Sequence, residues 1–241
     1  MNLVNRQVRV HYHSSFMYDV GLRIKNSNQG ILAVVISVIA IESILGDLLL
    51  TYSTRRNASV STAPLKGFRS VFRDFRQSKV FNNFPNLSAK ELEILQVLES
   101  QGRNSALLTF FLLEGCIANE KRNPKDFKGD RRSELLNGDV VALFDIRNSI
   151  SHRHGEELVY STDSNGVISY CGGYPKSLLP LFENGVVKLD NDHSSLGWLH
   201  LLENSSVVEW SLATAKSFVN SFLNTLPDDS ASNYFRSACI F

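Results

Sequence analysis

Cysteine is scarce in this chain of 241 residues, with Cys116, Cys171 and Cys239 standing far apart. None of them has the short spacing of a zinc site or a redox pair, and an odd, scattered set is no disulfide framework. The simplest reading is three reduced, structural thiols in a cytoplasmic protein. An excess of one charge is also missing. Lys and Arg number 25 against 24 Asp and Glu, a net charge of +1, so the molecule is not basic over its whole surface. No glycine-rich phosphate loop of the Walker or dinucleotide type occurs, and no nucleophile elbow surrounds a serine or cysteine. No signal-peptide pattern opens the chain, whose first long apolar run starts near Gly30, too late and with the wrong flanks.

What is present suits an ordinary globular protein. Apolar residues make up 43% and charged residues 20%, enough to fill a core in one or two domains. The charge is distributed unevenly. Arg55 to Phe81 holds seven basic residues against one acid, and Glu183 to Phe241 three basic against seven acidic. A local positive face on a neutral protein is compatible with RNA binding.

Residues 1–29 read as an N-terminal arm or short strand, because Val8 to His13 alternates apolar and polar. Ile31 to Leu50 is the most apolar segment, with 15 apolar residues of 20. Its length fits a membrane span, but Glu42 and Asp47 sit within it, and a central carboxylate is costly in lipid. It therefore reads as the central helix of a bundle, with no membrane as partner. Glu42 lies on the face of Leu45 and Leu49. Two readings compete for it: an acid orienting Arg147 from a neighbouring helix, or a carboxylate at a sheltered boundary. The second is the commoner outcome.

Leu65 to Phe81 carries Phe68, Phe72 and Phe75 at helical spacing, and Arg69, Arg73 and Arg76 one position later. The phenylalanines suit a core. The arginine row is the candidate phosphate-binding strip, with a plain solvated face as the alternative. Ser88 and Glu91 form a capping box that opens a helix to about Gln101, and a second helix is expected from about Asn104 to Asn119. Glu120 to Ser133 is polar, with six basic and three acidic residues. It reads as a linker, or as a loop that gates a site or touches RNA.

The most informative stretch follows, from Val140 to Gly155. Its first half is apolar at helical spacing. Its second half crowds Arg147, Asn148, Ser149, Ser151, His152 and His154 together. Asp145, Asn148 and His152 share a helix face. Arg147 and His152 are five apart, a gap that a long forked guanidinium can bridge. Imidazole is the side chain best tuned for proton transfer near neutral pH, and guanidinium matches a phosphate with two parallel donors. The bland alternative pairs Arg147 with Asp145 or Glu156 on the surface and leaves His152 as a helix C-terminal cation.

Arg147-Asn148-Ser149-Ile150-Ser151-His152 resembles the Arg-polar-x-x-x-His signature of the HEPN superfamily. His154 offers a second match, with six intervening residues. The resemblance is close over about sixteen residues and general elsewhere. It implies an all-α, HEPN-like helical bundle, usually dimeric, with two motifs facing each other in a composite active site. It also implies a metal-independent endoribonuclease that cuts RNA by 2′-hydroxyl attack, needs no cofactor, and serves as a toxin or antiviral defence effector, in some cases restrained by an inhibitor or antitoxin protein. Arg147, Asn148, His152 and His154 would be the catalytic set. Other members have lost catalysis and bind a nucleotide, RNA or a protein partner, which is the principal alternative. A histidine metal site built on His152-x-His154, Glu157 and His11-x-His13 is a weaker one.

After Gly155 the texture changes. Leu158 to Ser161 and Val167 to Tyr170 flank Asp163-Ser164-Asn165-Gly166, a β-hairpin signal. The organisation expected is an arm over 1–29, a bundle core carrying the motif over 30–155, a β-hairpin-containing insertion over 156–203 and a C-terminal helix over 204–241. That helix is expected to be capped near Asn204 to Ser206, to carry Phe218 and Phe222 on an apolar stripe, and to stop at Pro227 before a loose tail.

Overall fold

The computed structural model describes residues 13–57, 88–100, 104–151, 159–162, 164, 168–172, 175–188 and 198–239. The described chain is mostly helical, an all-α arrangement in class. Its centre is α2, Gly30–Asn57. Val34, Val38, Ile41, Ile44, Leu45, Leu48 and Tyr52 are fully buried along it. A helix that is apolar all round must be surrounded. Around it stand α1 (His13–Arg23), α3 (Ala89–Ser100), α4 (Ala106–Ala118), α6 (Gly138–Ser151), α8 (Ser205–Thr225) and α9 (Ser230–Ala238). The single turn α5 (Arg132–Leu135) precedes α6, and the short α7 (Leu179–Glu183) follows two strands. Residues Gly30–Tyr52 are long and apolar enough to cross a bilayer, yet 67% of their most apolar window is buried inside the fold.

Local signals set several boundaries. Ser88 and Glu91 exchange hydrogen bonds at 2.8 and 3.2 Å and open α3. Ser105 accepts from the Leu108 amide and opens α4, which ends at Asn119 in the left-handed conformation, φ 59°. Asn137 accepts from the Val140 amide at the start of α6. Asn204, rather than Ser206, caps α8 by accepting from the Val207 amide at 2.9 Å. Phe110 of α4 meets Phe218 and Phe222 of α8 edge-on, each with ring centroids 4.9 Å apart. Gly30 begins α2 against the Trp198–Leu202 turn, where a Cβ would lie 1.7 Å from the Leu202 carbonyl oxygen.

Three expectations need correction. The arm over 1–29 is helical from His13 to Arg23, while residues 1–12 lie outside the described residues. The alternation that suggested a strand stops at His13. Beyond it Ser14, Tyr18 and Gly21 are buried at helical spacing. The N-terminus of α1 is held by a distant group. Asp47 of α2, only 2% exposed, accepts from the His13 amide at 3.2 Å, the Ser14 amide at 2.9 Å and the Ser14 hydroxyl at 2.7 Å. It does the work of an N-cap and sits well in the helix dipole.

The tail after Pro227 is not loose. Asp229 caps α9 by accepting from the Ser232 amide at 2.7 Å. The Tyr52 hydroxyl of α2 donates to Asp229 at 2.9 Å, and Phe235 is fully buried. Its Asp229 cap and amphipathic pattern are local, but nine residues are too few to hold a helix alone, so tertiary contacts stabilise it. The third correction concerns 156–203. Strands β1 (Val159–Thr162) and β2 (Ile168–Gly172) pair antiparallel, with Tyr160 opposite Tyr170 and an irregularity near Val159. The described stretches 175–188 and 198–203, however, join the bundle. Leu178, Leu181, Val187, Trp198 and Leu202 belong to the same core as α2.

Replacing Asp47 with Ala should strand the buried Ser14 amide and hydroxyl and release the part-buried His13 amide, at a cost of roughly 2–6 kcal/mol given about 1–3 kcal/mol for each of the two buried donors. Asp47→Asn, which keeps one acceptor oxygen, should lose about half as much. Urea unfolding of both variants measures this, and equal stability of native chain and Asp47→Ala would show that α1 is held by other contacts.

Candidate functional site

The last two turns of α6 carry the motif. Val140, Val141, Leu143, Phe144 and Ile146 are buried and fix the helix rotation. That rotation aims Arg147 at α2 and leaves Asn148 exposed. Arg147 donates through Nη2 to Oε1 of Glu42, an ion pair between two helices 105 residues apart in sequence. Its guanidinium lies over the Phe144 ring, 5.7 Å from the centroid, a favourable cation–π arrangement. The side chains of Arg147 and Glu42 are 24% and 39% exposed. The pair is therefore neither solvated nor sealed, and one edge of the guanidinium reaches solvent. The Nε of Arg147 is buried and has no hydrogen-bond partner among the described residues. Glu42 thus binds one arm of the fork only.

Burial pushes the Glu42 carboxyl above its ordinary value, and the Arg147 charge and hydrogen bond pull it back only in part.

Asp145 does not join the Arg147 pair. It accepts both arms of Arg132 from α5, at 2.7 and 3.3 Å. The surface pairing of Arg147 with Asp145 is thereby excluded. His152, His154, Glu156 and Glu157 lie outside the described residues, as do His11 and the arginine row Arg69, Arg73 and Arg76. The structure therefore positions Arg147 and Asn148 of the predicted set. The partner it adds is Glu42, for which the sheltered-boundary reading had been the commoner outcome. A usable signal was present. A carboxylate in an apolar helix must find a donor, and Arg147 is a cation that closes another apolar run.

A cavity of about 250 Å³ lies elsewhere, between α4, α5 and α8. Glu114, Glu134, Asn137 and Ser221 line it over Phe218 and Phe222. Its carboxylates would repel a phosphate, so size alone does not make it the site of anion chemistry. Among the described residues no three His, Cys, Asp or Glu side chains gather as a metal site requires. Compared with protein-family models, with curated proteins and with solved structures, the chain matches none of them.

Because the Glu42 carboxyl is raised on folding, its titration favours the native state below the ordinary value near 4.5, and that advantage is lost as pH rises through the raised value. The stability of the native chain relative to Glu42→Gln should therefore fall as pH increases from about 4 towards 7. Urea melts of both proteins across that range test the sign, and a relative stability that rises with pH would refute it.

Proposed function

We propose that this chain is a metal-independent endoribonuclease of HEPN type. The observation that carries the reading is Arg147. A part-buried guanidinium, held by Glu42 and Phe144 with one edge to solvent, opens the sequence Arg-Asn-x-x-x-His at the end of a core helix. In this reading the fold is a HEPN bundle, with the strand pair Val159–Thr162 and Ile168–Gly172 as an insertion after the motif helix. The substrate is RNA, and the working form is a homodimer with a composite site, in the cytoplasm.

The chemistry follows from the side-chain types. The 2′-hydroxyl loses its proton to an imidazole as its oxygen bonds to phosphorus. The bond from phosphorus to the 5′-oxygen breaks, and that oxygen takes a proton. The products are a 2′,3′-cyclic phosphate and a 5′-hydroxyl. His152 moves the protons, with His154 as assistant. Arg147 stabilises the charge that builds on the phosphorane, and Asn148 orients the imidazole or the phosphate. Glu42 fixes the Arg147 rotamer without occupying the whole fork. A toxin or antiviral role, with a restraining partner protein, suits an RNA-cutting activity that must be kept in check.

Purified protein should cleave RNA with chelator in excess. Arg147→Ala and His152→Ala should each lower the rate about a hundredfold or more, the range general acid–base and oxyanion groups supply. Dimer state and folding of each variant are checked alongside. Cleavage lost only on chelation would favour the histidine metal site. No cleavage by any folded form would favour a non-catalytic HEPN-like binding module.

A further inference from the structure

The segment joining α4 to α6 carries six basic residues against three acidic ones between Glu120 and Ser133, in a chain of net charge +1. It is anchored at several points. Phe127 is buried and stacks on Phe111, with centroids 5.0 Å apart. Arg122 lies across Gly115, where a Cβ would meet its Cγ and Cδ at 2.5 Å. It pairs with Glu114 and Glu120 at 3.2 and 3.1 Å, donates to the Phe111 carbonyl, and covers the Phe111 ring. Arg132 donates to the Gly129 carbonyl at 3.2 Å and forks onto Asp145. Two of the six cations therefore tie the segment down.

The other four, Lys121, Lys125, Lys128 and Arg131, are exposed, and none has an acidic partner among the described residues. Ordered backbone with unanswered cations is preorganised for a polyanion, because little entropy is lost on docking. The Arg132 fork joins this strip to α6 at Asp145, one helical turn before Asn148 on the same face and near the end of the helix that carries Arg147. Exposed Asp126 and Glu134 interrupt and bound it. None of the exposed large hydrophobic side chains among the described residues lies in it. A membrane-docking surface needs such an apolar anchor beside its charge, and a protein interface needs an apolar centre.

We propose that Lys121, Lys125, Lys128 and Arg131 form the docking strip for the phosphate backbone of single-stranded RNA, leading it to the Arg147 end of α6. The proposal rests on the ribonuclease reading for the identity of the polyanion. It assigns binding to this segment and leaves the chemistry to the motif.

The test is binding of a fluorescent 2′-O-methyl single strand, which lacks the attacking hydroxyl, across a salt series. The quadruple variant Lys121→Gln, Lys125→Gln, Lys128→Gln, Arg131→Gln should bind about ten- to a hundredfold more weakly at low salt, and its log–log salt slope should flatten by about 0.7 for each lost contact. The four single variants, which change one surface side chain each, should show the same flattening in steps. Cleavage of ordinary RNA at saturation should stay within about twofold of native, since no motif residue is touched. Arg147→Ala should keep most of the slope. Affinity unchanged in the quadruple variant would overturn the strip even if native protein cleaves RNA. So would loss of binding to phosphatidylserine vesicles with RNA binding intact. Strand binding that needs the four cations, in a protein that cleaves nothing, would keep the strip and remove the ribonuclease reading.

Discussion

Two carboxylates inside an apolar helix govern this fold. α2 is buried on most of its surface, so Asp47 cannot rely on water and Glu42 only in part. A buried or half-buried charge must be matched by donors or it destabilises the fold. Asp47 is matched by the open N-terminus of α1, with two amides and a hydroxyl. Glu42 is matched by the guanidinium of Arg147 from α6. The two acids lie five residues apart on one helix, and each recruits a different neighbour. The requirement that would make α2 a poor membrane span is the same one that places two of its neighbours.

The balance at Glu42 explains why Arg147 suits anion chemistry. Desolvation outweighs the attraction enough to leave the carboxyl raised, so the pair stabilises the fold only modestly. A fully sealed pair would hold the arginine too tightly to engage a phosphate. A fully exposed one would leave the long side chain to sample many rotamers, and such pairs contribute little. The intermediate burial, with Phe144 beneath the guanidinium, restricts the side chain while one edge remains open. Precise placement matters because transition-state stabilisation depends on donors that do not need to reorganise.

The helices with strong local signals were legible in the sequence. The Ser88–Glu91 box, the apolar run of α2 and the apolar stripe of α8 all announce themselves within a few residues. α1 and α9 were not legible, for one shared reason. α1 draws its cap from Asp47, and α9, though capped locally by Asp229, is also held by Tyr52, so part of what fixes both helices sits in α2. The segment from Pro175 to Leu202 was misjudged for a related reason: its apolar residues follow neither a helix nor a strand period, yet Leu178, Leu181 and Leu202 are all fully buried. At the candidate site, Arg147 was legible from its motif. Glu42 was legible as a possible partner of Arg147 but was ranked below a plain sheltered carboxylate, because helix periodicity ranks neighbours on one helix and is silent about the helix facing it.

The three arginines whose contacts are best defined near the site share a pattern that the exposed lysines do not. Arg122, Arg132 and Arg147 each use the planar fork to tie one segment to another. Guanidinium is suited to this, since it donates in fixed directions and tolerates partial burial over an aromatic ring. Lys121, Lys125 and Lys128 have no such tether and stay in solvent, as compact, flexible point charges do. A mobile phosphate backbone is met more easily by point charges that can follow it, whereas a reacting phosphate needs a donor whose direction is already set. The exposed cations of the connector are three Lys and one Arg, while Arg147 stands at the end of the core helix, so under the proposed reading capture and chemistry would fall to side chains of matching stiffness. Arg131 is the exception, exposed on the connector beside the Arg132 tether. It stands where the strip meets α6, the point at which a captured strand would first need its direction fixed.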